Sequence, residues 1–121
     1  GLPLEMTSTY GIRIYTRGAV LKPHVDRYQT HIVSAILNIA QDVEKPWPLT
    51  IQDHQSREHV VYLEPGEIIF YESSRLIHGR PYPLEGERFA NVFVHAKPID
   101  WDQFTHKLDL DYQDGLLDPL M

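Results

Sequence analysis

The sequence is divided into short runs of β-branched and aromatic residues by prolines, glycines and polar turns. Runs of this length and composition are typical of strands. The longest apolar run, residues 31–39, is too short and too rich in β-branched side chains to favour a helix, so we interpret it as a buried strand. Together the runs predict an all-β or mainly β domain of about eight strands, a sandwich or a double-sheet jelly roll, with strands near residues 11–15, 21–26, 31–39, 49–53, 58–63, 68–71, 76–80 and 89–95.

The 121-residue chain is long enough to bury one core and too short for two, so we expect a single domain over residues 1–121. Its β core spans residues 10–98. An acidic tail follows at residues 99–121, where we expect a short helix at 101–110 and irregular structure after it. The absence of cysteine excludes disulfides and thiolate chemistry.

The formal charge of −6 argues against two classes of partner. Nucleic-acid affinity comes largely from Lys and Arg, and an anionic membrane surface also attracts basic residues. No apolar run approaches the ~20 residues of a membrane span. We therefore expect no nucleic acid and no membrane as partner, and a soluble protein with the cytoplasm favoured and the oligomeric state open. Because the chain begins with Gly1 rather than Met, we expect that it was cut from a longer protein and that a targeting sequence preceded it.

A His-x-Asp motif lies on the second predicted strand. His24 and Asp26 point to the same face of that strand, because successive side chains alternate. An imidazole and a carboxylate on one face are two of the three ligands in the 2-His-1-carboxylate triad of non-haem Fe(II) oxygenases. We predict that His78, on the strand at 76–80, is the third ligand. Three other histidines have no partner at ligand spacing and are assigned no metal role: His31, His95 and His106.

Further residues occur in an order and spacing that resemble a known family. A tyrosine precedes the His-x-Asp strand, Leu-Asn follows on the next strand, a Pro-Gly-Glu turn leads into an aromatic strand, and an arginine follows the distal histidine by about ten residues. These positions are Tyr15, Leu37-Asn38, Pro65-Gly66-Glu67, Phe70-Tyr71, His78 and Arg88. Over residues 10–98 the chain resembles the double-stranded β-helix core of the Fe(II)- and 2-oxoglutarate-dependent dioxygenases, and most of all their prolyl 4-hydroxylase-like branch.

The resemblance implies a reaction and its cofactors. His24, Asp26 and His78 would bind Fe(II), with 2-oxoglutarate and O2 as cosubstrates. Hydroxylation of an unactivated C–H bond would accompany decarboxylation of 2-oxoglutarate to succinate and CO2. We predict a prolyl residue in a peptide or protein as substrate, with a free amino acid or another small metabolite as the alternative. An alternative of another class is a cupin-like module that binds a metal or a sugar without oxygenase activity.

The resemblance also implies roles for residues around the metal. Arg88 would bind the C5 carboxylate of 2-oxoglutarate through two parallel donors. Tyr15 would add a third donor, and Asn38 would lie near the cosubstrate. Arg13 and Arg80 are candidates for the substrate pocket. Because both faces of the last strand are largely apolar, we predict that Arg88 is buried, and a plain cupin has no need of such a guanidinium.

Two departures from the family pattern leave the substrate open. Residues 46–50 read Pro-Trp-Pro-Leu-Thr where many prolyl hydroxylases have a Gly-Gly-Glu-Thr stretch, and Arg88 stands where collagen-type enzymes usually have Lys. The nucleobase-demethylase branch is disfavoured because Val94 occupies the position of that branch's second arginine.

Overall fold

The computed structural model describes residues 3–101 and confirms the mainly β prediction. Each predicted strand overlaps an observed one. The strands are β1 (Leu4–Thr16), β2 (Leu21–His24), β3 (Val33–Val43), β4 (Leu49–Gln52), β5 (Glu58–Val61), β6 (Ile68–Tyr71), β7 (His78–Arg80) and β8 (Gly86–Pro98). Apart from Trp101, the predicted helix at 101–110 lies outside the described residues, as does the rest of the acidic tail.

The strands form two antiparallel sheets of four strands each. One sheet has the order β1-β8-β3-β6 and the other the order β2-β7-β4-β5. Because most strands that are consecutive in the sequence belong to different sheets, the chain crosses repeatedly between them, which gives a jelly-roll-like fold. Within residues 3–101, no helix has both the length and the apolar character that crossing a membrane requires.

Two clusters of buried side chains form the core. The first consists of Tyr15, Trp47, Leu84 and Phe89, and the second of Ile36, Leu49, Ile51 and Tyr71. The second cluster draws residues from both sheets, so it holds their inner faces together. Phe93 on β8 packs against both clusters and makes the core continuous.

A glycine on β7 allows two strands to approach closely where the metal motif lies. A Cβ added at Gly79 would stand 2.9 Å from the Leu21 carbonyl oxygen and 2.9 Å from the Pro23 backbone nitrogen, closer than real Cβ contacts. Strand β2 therefore runs against β7 without room for a side chain between them. In this pairing His24 lies directly opposite His78.

Candidate metal centre

The structure brings the three predicted metal ligands together. His24 ends β2, Asp26 follows two residues later, and His78 begins β7. Asp26 Oδ1 lies 3.3 Å from His24 Nε2 and 3.5 Å from His78 Nε2. One potential ligand atom from each residue lies within 4.8 Å of the others, a spacing from which they can converge on one ion.

Backbone carbonyl groups orient both imidazoles. His24 Nδ1 lies 2.7 Å from the Lys22 carbonyl oxygen, and His78 Nδ1 lies 2.8 Å from that of Leu76. Because a carbonyl oxygen can only accept, each Nδ1 carries the proton and donates it. The Nε2 atoms are thus the ones turned toward Asp26, which is the arrangement in which a metal-ligating histidine is held by its other ring nitrogen.

The electrostatics of the cluster favour an ionised carboxylate. Burial alone would raise the pKa of Asp26, but hydrogen bonds from His24 and His78 outweigh it and hold that pKa well below its usual range. The hydrogen bond to Asp26 raises the pKa of His24. A divalent cation would take the place of the protons shared among these three groups, since it is bound by the same oxygen and nitrogen lone pairs.

The three residues line a cavity of about 250 Å³. Tyr15, Arg13 and Arg80 line it as well, so three of the predicted pocket residues share the cavity with the metal motif. Tyr15 packs edge-on against Trp47, and burial raises the pKa of its hydroxyl while Arg13 and Arg80 oppose the rise. The hydroxyl is therefore protonated at neutral pH and able to donate a hydrogen bond.

Arg80 is a buried cation that lines the same cavity. It is only 2% exposed, and its guanidinium carbon lies 4.8 Å from the ring centroids of both Trp47 and Phe89. Arg80 Nη1 donates to the Trp47 carbonyl oxygen at 2.9 Å, but Nη2 is buried and has no hydrogen-bond partner among the described residues. No carboxylate among residues 3–101 forms an ion pair with it. Burial lowers the pKa of Arg80 to about 10, so the group is still charged at neutral pH.

The prediction that Arg88 is buried is wrong. Its side chain is exposed and does not line the cavity. Phe89, its neighbour on β8, is 1% exposed and belongs to the core, and successive strand residues face opposite sides, so Arg88 points outward. The outer face of β8 is apolar too, which is why the sequence alone did not reveal the orientation.

Asn38 does not lie in the cavity either. It is fully buried, and its Nδ2 donates to the Ala90 carbonyl oxygen at 3.2 Å and to Asn91 Oδ1 at 3.0 Å. Its Oδ1 accepts a hydrogen bond from Gln41 Nε2 at 3.0 Å. These contacts use its amide to join β3 to β8, so Asn38 supports the sheet and does not contact the cavity.

Two histidines that the sequence left without a role also line the cavity. His31 and His95 each offer a ring nitrogen within 4.8 Å of an Asp26 oxygen and of one another. Strand parity was the available signal for one of them, because His95 shares a face of β8 with Phe89 and Phe93. His31 precedes β3, and its place beside Asp26 depends on tertiary structure. His106 lies outside the described residues.

Comparison with protein-family models gives no match for this chain, and none of the curated proteins compared with it matches significantly.

Proposed function

We propose that this protein is an Fe(II)- and 2-oxoglutarate-dependent oxygenase that hydroxylates an unactivated C–H bond. The observation that carries the proposal is the presence, in one cavity, of a His-Asp-His ligand set and a buried arginine that has no carboxylate partner in the described part of the chain. The ligand set fits a divalent metal ion, and the buried guanidinium fits an anion. An oxygenase that uses a dicarboxylate cosubstrate needs both in the same place.

The metal part of the proposal rests on His24, Asp26 and His78. Neutral imidazole and carboxylate together suit Fe(II), and two backbone carbonyls already hold the imidazoles with Nε2 toward the site. When bound, Fe(II) with 2-oxoglutarate and O2 supplies the oxidation of the C–H bond, with release of succinate and CO2. The protein contributes the ligands, their orientation and the cavity that they line.

The cosubstrate part rests on Arg80 in place of Arg88. A buried charge without a partner is costly, and a carboxylate that accepts from Nη2 would remove that cost. The hydrogen bond to the Trp47 carbonyl oxygen and the contacts with the rings of Trp47 and Phe89 fix the orientation of the guanidinium. Arg80 follows His78 by two residues on β7, or about 6.7 Å along an extended strand. A short dicarboxylate can span this distance between a metal ion and Arg80, with the Tyr15 hydroxyl as a further donor.

A peptide substrate is favoured by a second cavity that adjoins the first. This cavity, of about 490 Å³, shares Tyr10, Asp26 and His31 with the one that holds the ligand set. A chain extending through both would place one side chain beside the metal and its neighbours along the second cavity. A prolyl residue is the side chain that the family resemblance suggests, and a free amino acid would leave the second cavity without a role.

Anaerobic addition of 2-oxoglutarate to the Fe(II)-loaded protein tests the proposal. We expect a weak visible metal-to-ligand charge-transfer band that is present in the Arg88→Met control and lost at the same cosubstrate concentration in Arg80→Met. Succinate release in air, screened over prolyl peptides and free amino acids, then identifies the substrate class. Folded, iron-loaded protein that gives neither band nor succinate would favour a cupin-like metal-binding module.

A further inference from the structure

A second pair of histidines meets the carboxylate of Asp26. Ring nitrogens of His31 and His95 and an Asp26 oxygen all lie within 4.8 Å of one another. The two imidazole rings are 3.9 Å apart between centroids and tilted by 38°. This set repeats the composition of the first ligand set, two imidazoles and one carboxylate, and uses the same aspartate.

Buried hydroxyl groups fix which nitrogen of His95 has a free lone pair. Ser73 Oγ donates to the His31 carbonyl oxygen at 2.9 Å, so its single proton is engaged there. Ser34 must then donate to Ser73, and Ser34 Oγ accepts from His95 Nδ1 at 2.6 Å. His95 therefore carries its proton on Nδ1, which leaves the Nε2 lone pair for a ligand. His95, Ser34 and Ser73 are 5% exposed or less, so this orientation is built into the core.

The remaining groups are compatible with a cation at this position. His31 Nδ1 is hydrogen-bonded to Thr30 Oγ1, so Nε2 is the ring nitrogen that remains to bind a cation. Asp26 contacts His24 and His78 through one oxygen, Oδ1. A carboxylate has two oxygens and can join two metal ions, which in two-metal sites lie about 3.5–4 Å apart.

We propose that His31, His95 and Asp26 bind a second divalent cation beside the one bound by His24, Asp26 and His78, with the Asp26 carboxylate bridging the two. The inference rests on the metal site of the proposed function but not on its oxygenase chemistry. Imidazole and carboxylate ligands restrict the second ion to Fe(II), Mn(II), Co(II), Zn(II) or a similar metal rather than Ca(II).

Cobalt titration of the untagged, metal-free chain tests the proposal. Bound Co²⁺ is counted by equilibrium dialysis and elemental analysis, and d–d bands report histidine ligation. We expect two Co²⁺ per chain in the wild type and in the control variant His59→Ala, which alters an exposed histidine paired with Asp53. We expect one in His31→Ala, one in His95→Ala and one in His24→Ala. With Mn²⁺ in place of Co²⁺, the doubly loaded wild type should show an exchange-coupled electron paramagnetic resonance signal.

A positioning variant separates ligation from structural packing. Ser34→Ala removes the hydroxyl that orients His95 and leaves both imidazoles in place, so the second Co²⁺ should bind about 10–100-fold more weakly while the first is unchanged. Thermal unfolding monitored by circular dichroism shows whether His95→Ala is folded, and His31→Ala, at a partly exposed position, gives an independent reading.

The possible outcomes are distinguishable. One Co²⁺ per chain that is lost in His24→Ala but kept in His31→Ala would overturn the second site and leave the first standing. Two Co²⁺ that persist in both His31→Ala and His95→Ala would overturn the proposed ligands. Absence of cobalt binding in the folded wild type would overturn this site and the proposed function together.

Discussion

His78 and Arg80 occupy alternate positions of strand β7, and both are almost fully buried, at 5% and 2% exposed. His78 Nε2 lies 3.5 Å from Asp26 Oδ1, whereas no group within residues 3–101 forms a hydrogen bond with Arg80 Nη2. A strand of three residues thus supplies a candidate metal ligand and a buried cation to the same cavity. Gly79 between them lets β2 approach, which places His24 opposite His78.

Replacing Arg80 with methionine should weaken cosubstrate binding and change the stability of the free protein little. Truncating one partner of a buried charge pair costs about 2–5 kcal/mol, so the Kd for 2-oxoglutarate should rise at least about 30-fold. The free protein should lose little stability, because no carboxylate within residues 3–101 is paired with Arg80 and would be left buried without its counter-charge. Isothermal titration calorimetry under nitrogen measures the first effect and thermal unfolding the second.

Arg88→Met provides the matched control, since it changes the same side chain at an exposed position. Its affinity for 2-oxoglutarate should equal that of the wild type. Weakened binding in Arg88→Met together with normal binding in Arg80→Met would reinstate the arginine expected from the family resemblance and refute the role given to Arg80.

Tyr15→Phe should weaken 2-oxoglutarate binding by a smaller factor. The substitution removes one neutral donor from the cavity, worth about 0.5–1.5 kcal/mol or roughly 2–12-fold in Kd. The ring keeps its edge-on contact with Trp47, so the melting temperature should change little. An affinity equal to that of the wild type would mean that Tyr15 only packs.

The strands could be predicted from the sequence because they follow from local rules, whereas His78 is predicted as the third ligand from the pattern of a known metal triad. Strand alternation predicts His24 and Asp26 on one face, but β2 ends at His24 and Asp26 lies just beyond it. Turns rich in Pro and Gly divide the chain where strands end. Which face of β8 is inner is not a local property, since both faces are apolar. The burial of Phe89 decides it, and Arg88 is then exposed.

The buried position of Arg80 and the meeting of His31 with His95 depend on tertiary contacts that no spacing encodes. Arg80 is held between Trp47, from the loop before β4, and Phe89 on β8. His31 and His95 are far apart in the sequence and meet beside Asp26 only because β3 pairs with β8. Predicting such neighbours would require knowing the register of the sheet.

The free energy of unfolding of the metal-free protein should depend on pH, because Asp26 interacts with His24. The folded-state pKa of Asp26 lies below its unfolded value, so its contribution is present above about pH 4 and is lost as the pH falls. The folded-state pKa of His24 lies above its unfolded value, so its contribution is present below about pH 6.5 and is lost as the pH rises past the raised value.

Both contributions overlap between these limits. The difference in free energy of unfolding between the wild type and Asp26→Asn, measured with urea in the presence of a chelator, should therefore be largest near pH 5 and smaller at pH 3 and at pH 8. A difference that is constant over this range would show that, in the absence of metal, the Asp26 carboxylate does not interact electrostatically with the imidazoles of His24 and His78. Asp26→Asn should also fail to retain Fe(II) at pH 7.

Gly79→Ala should damage the metal site through the backbone. The new Cβ would meet the Leu21 carbonyl oxygen and the Pro23 backbone at 2.9 Å, and backbone atoms cannot rotate away. We expect β2 to be displaced from β7, a loss of about 1–3 kcal/mol in the free energy of unfolding, and weaker binding of Co²⁺ because His24 moves with β2.

Gly66→Ala is the control for lost stability alone. Its positive φ of 89° disfavours alanine by about 1–2 kcal/mol. Apart from its chain neighbours, no heavy atom of the described residues lies within 4 Å of its added Cβ, and Gly66 lies outside the cavity. Equal Co²⁺ affinity in the two variants would mean that the close approach of β2 to β7 does not position His24.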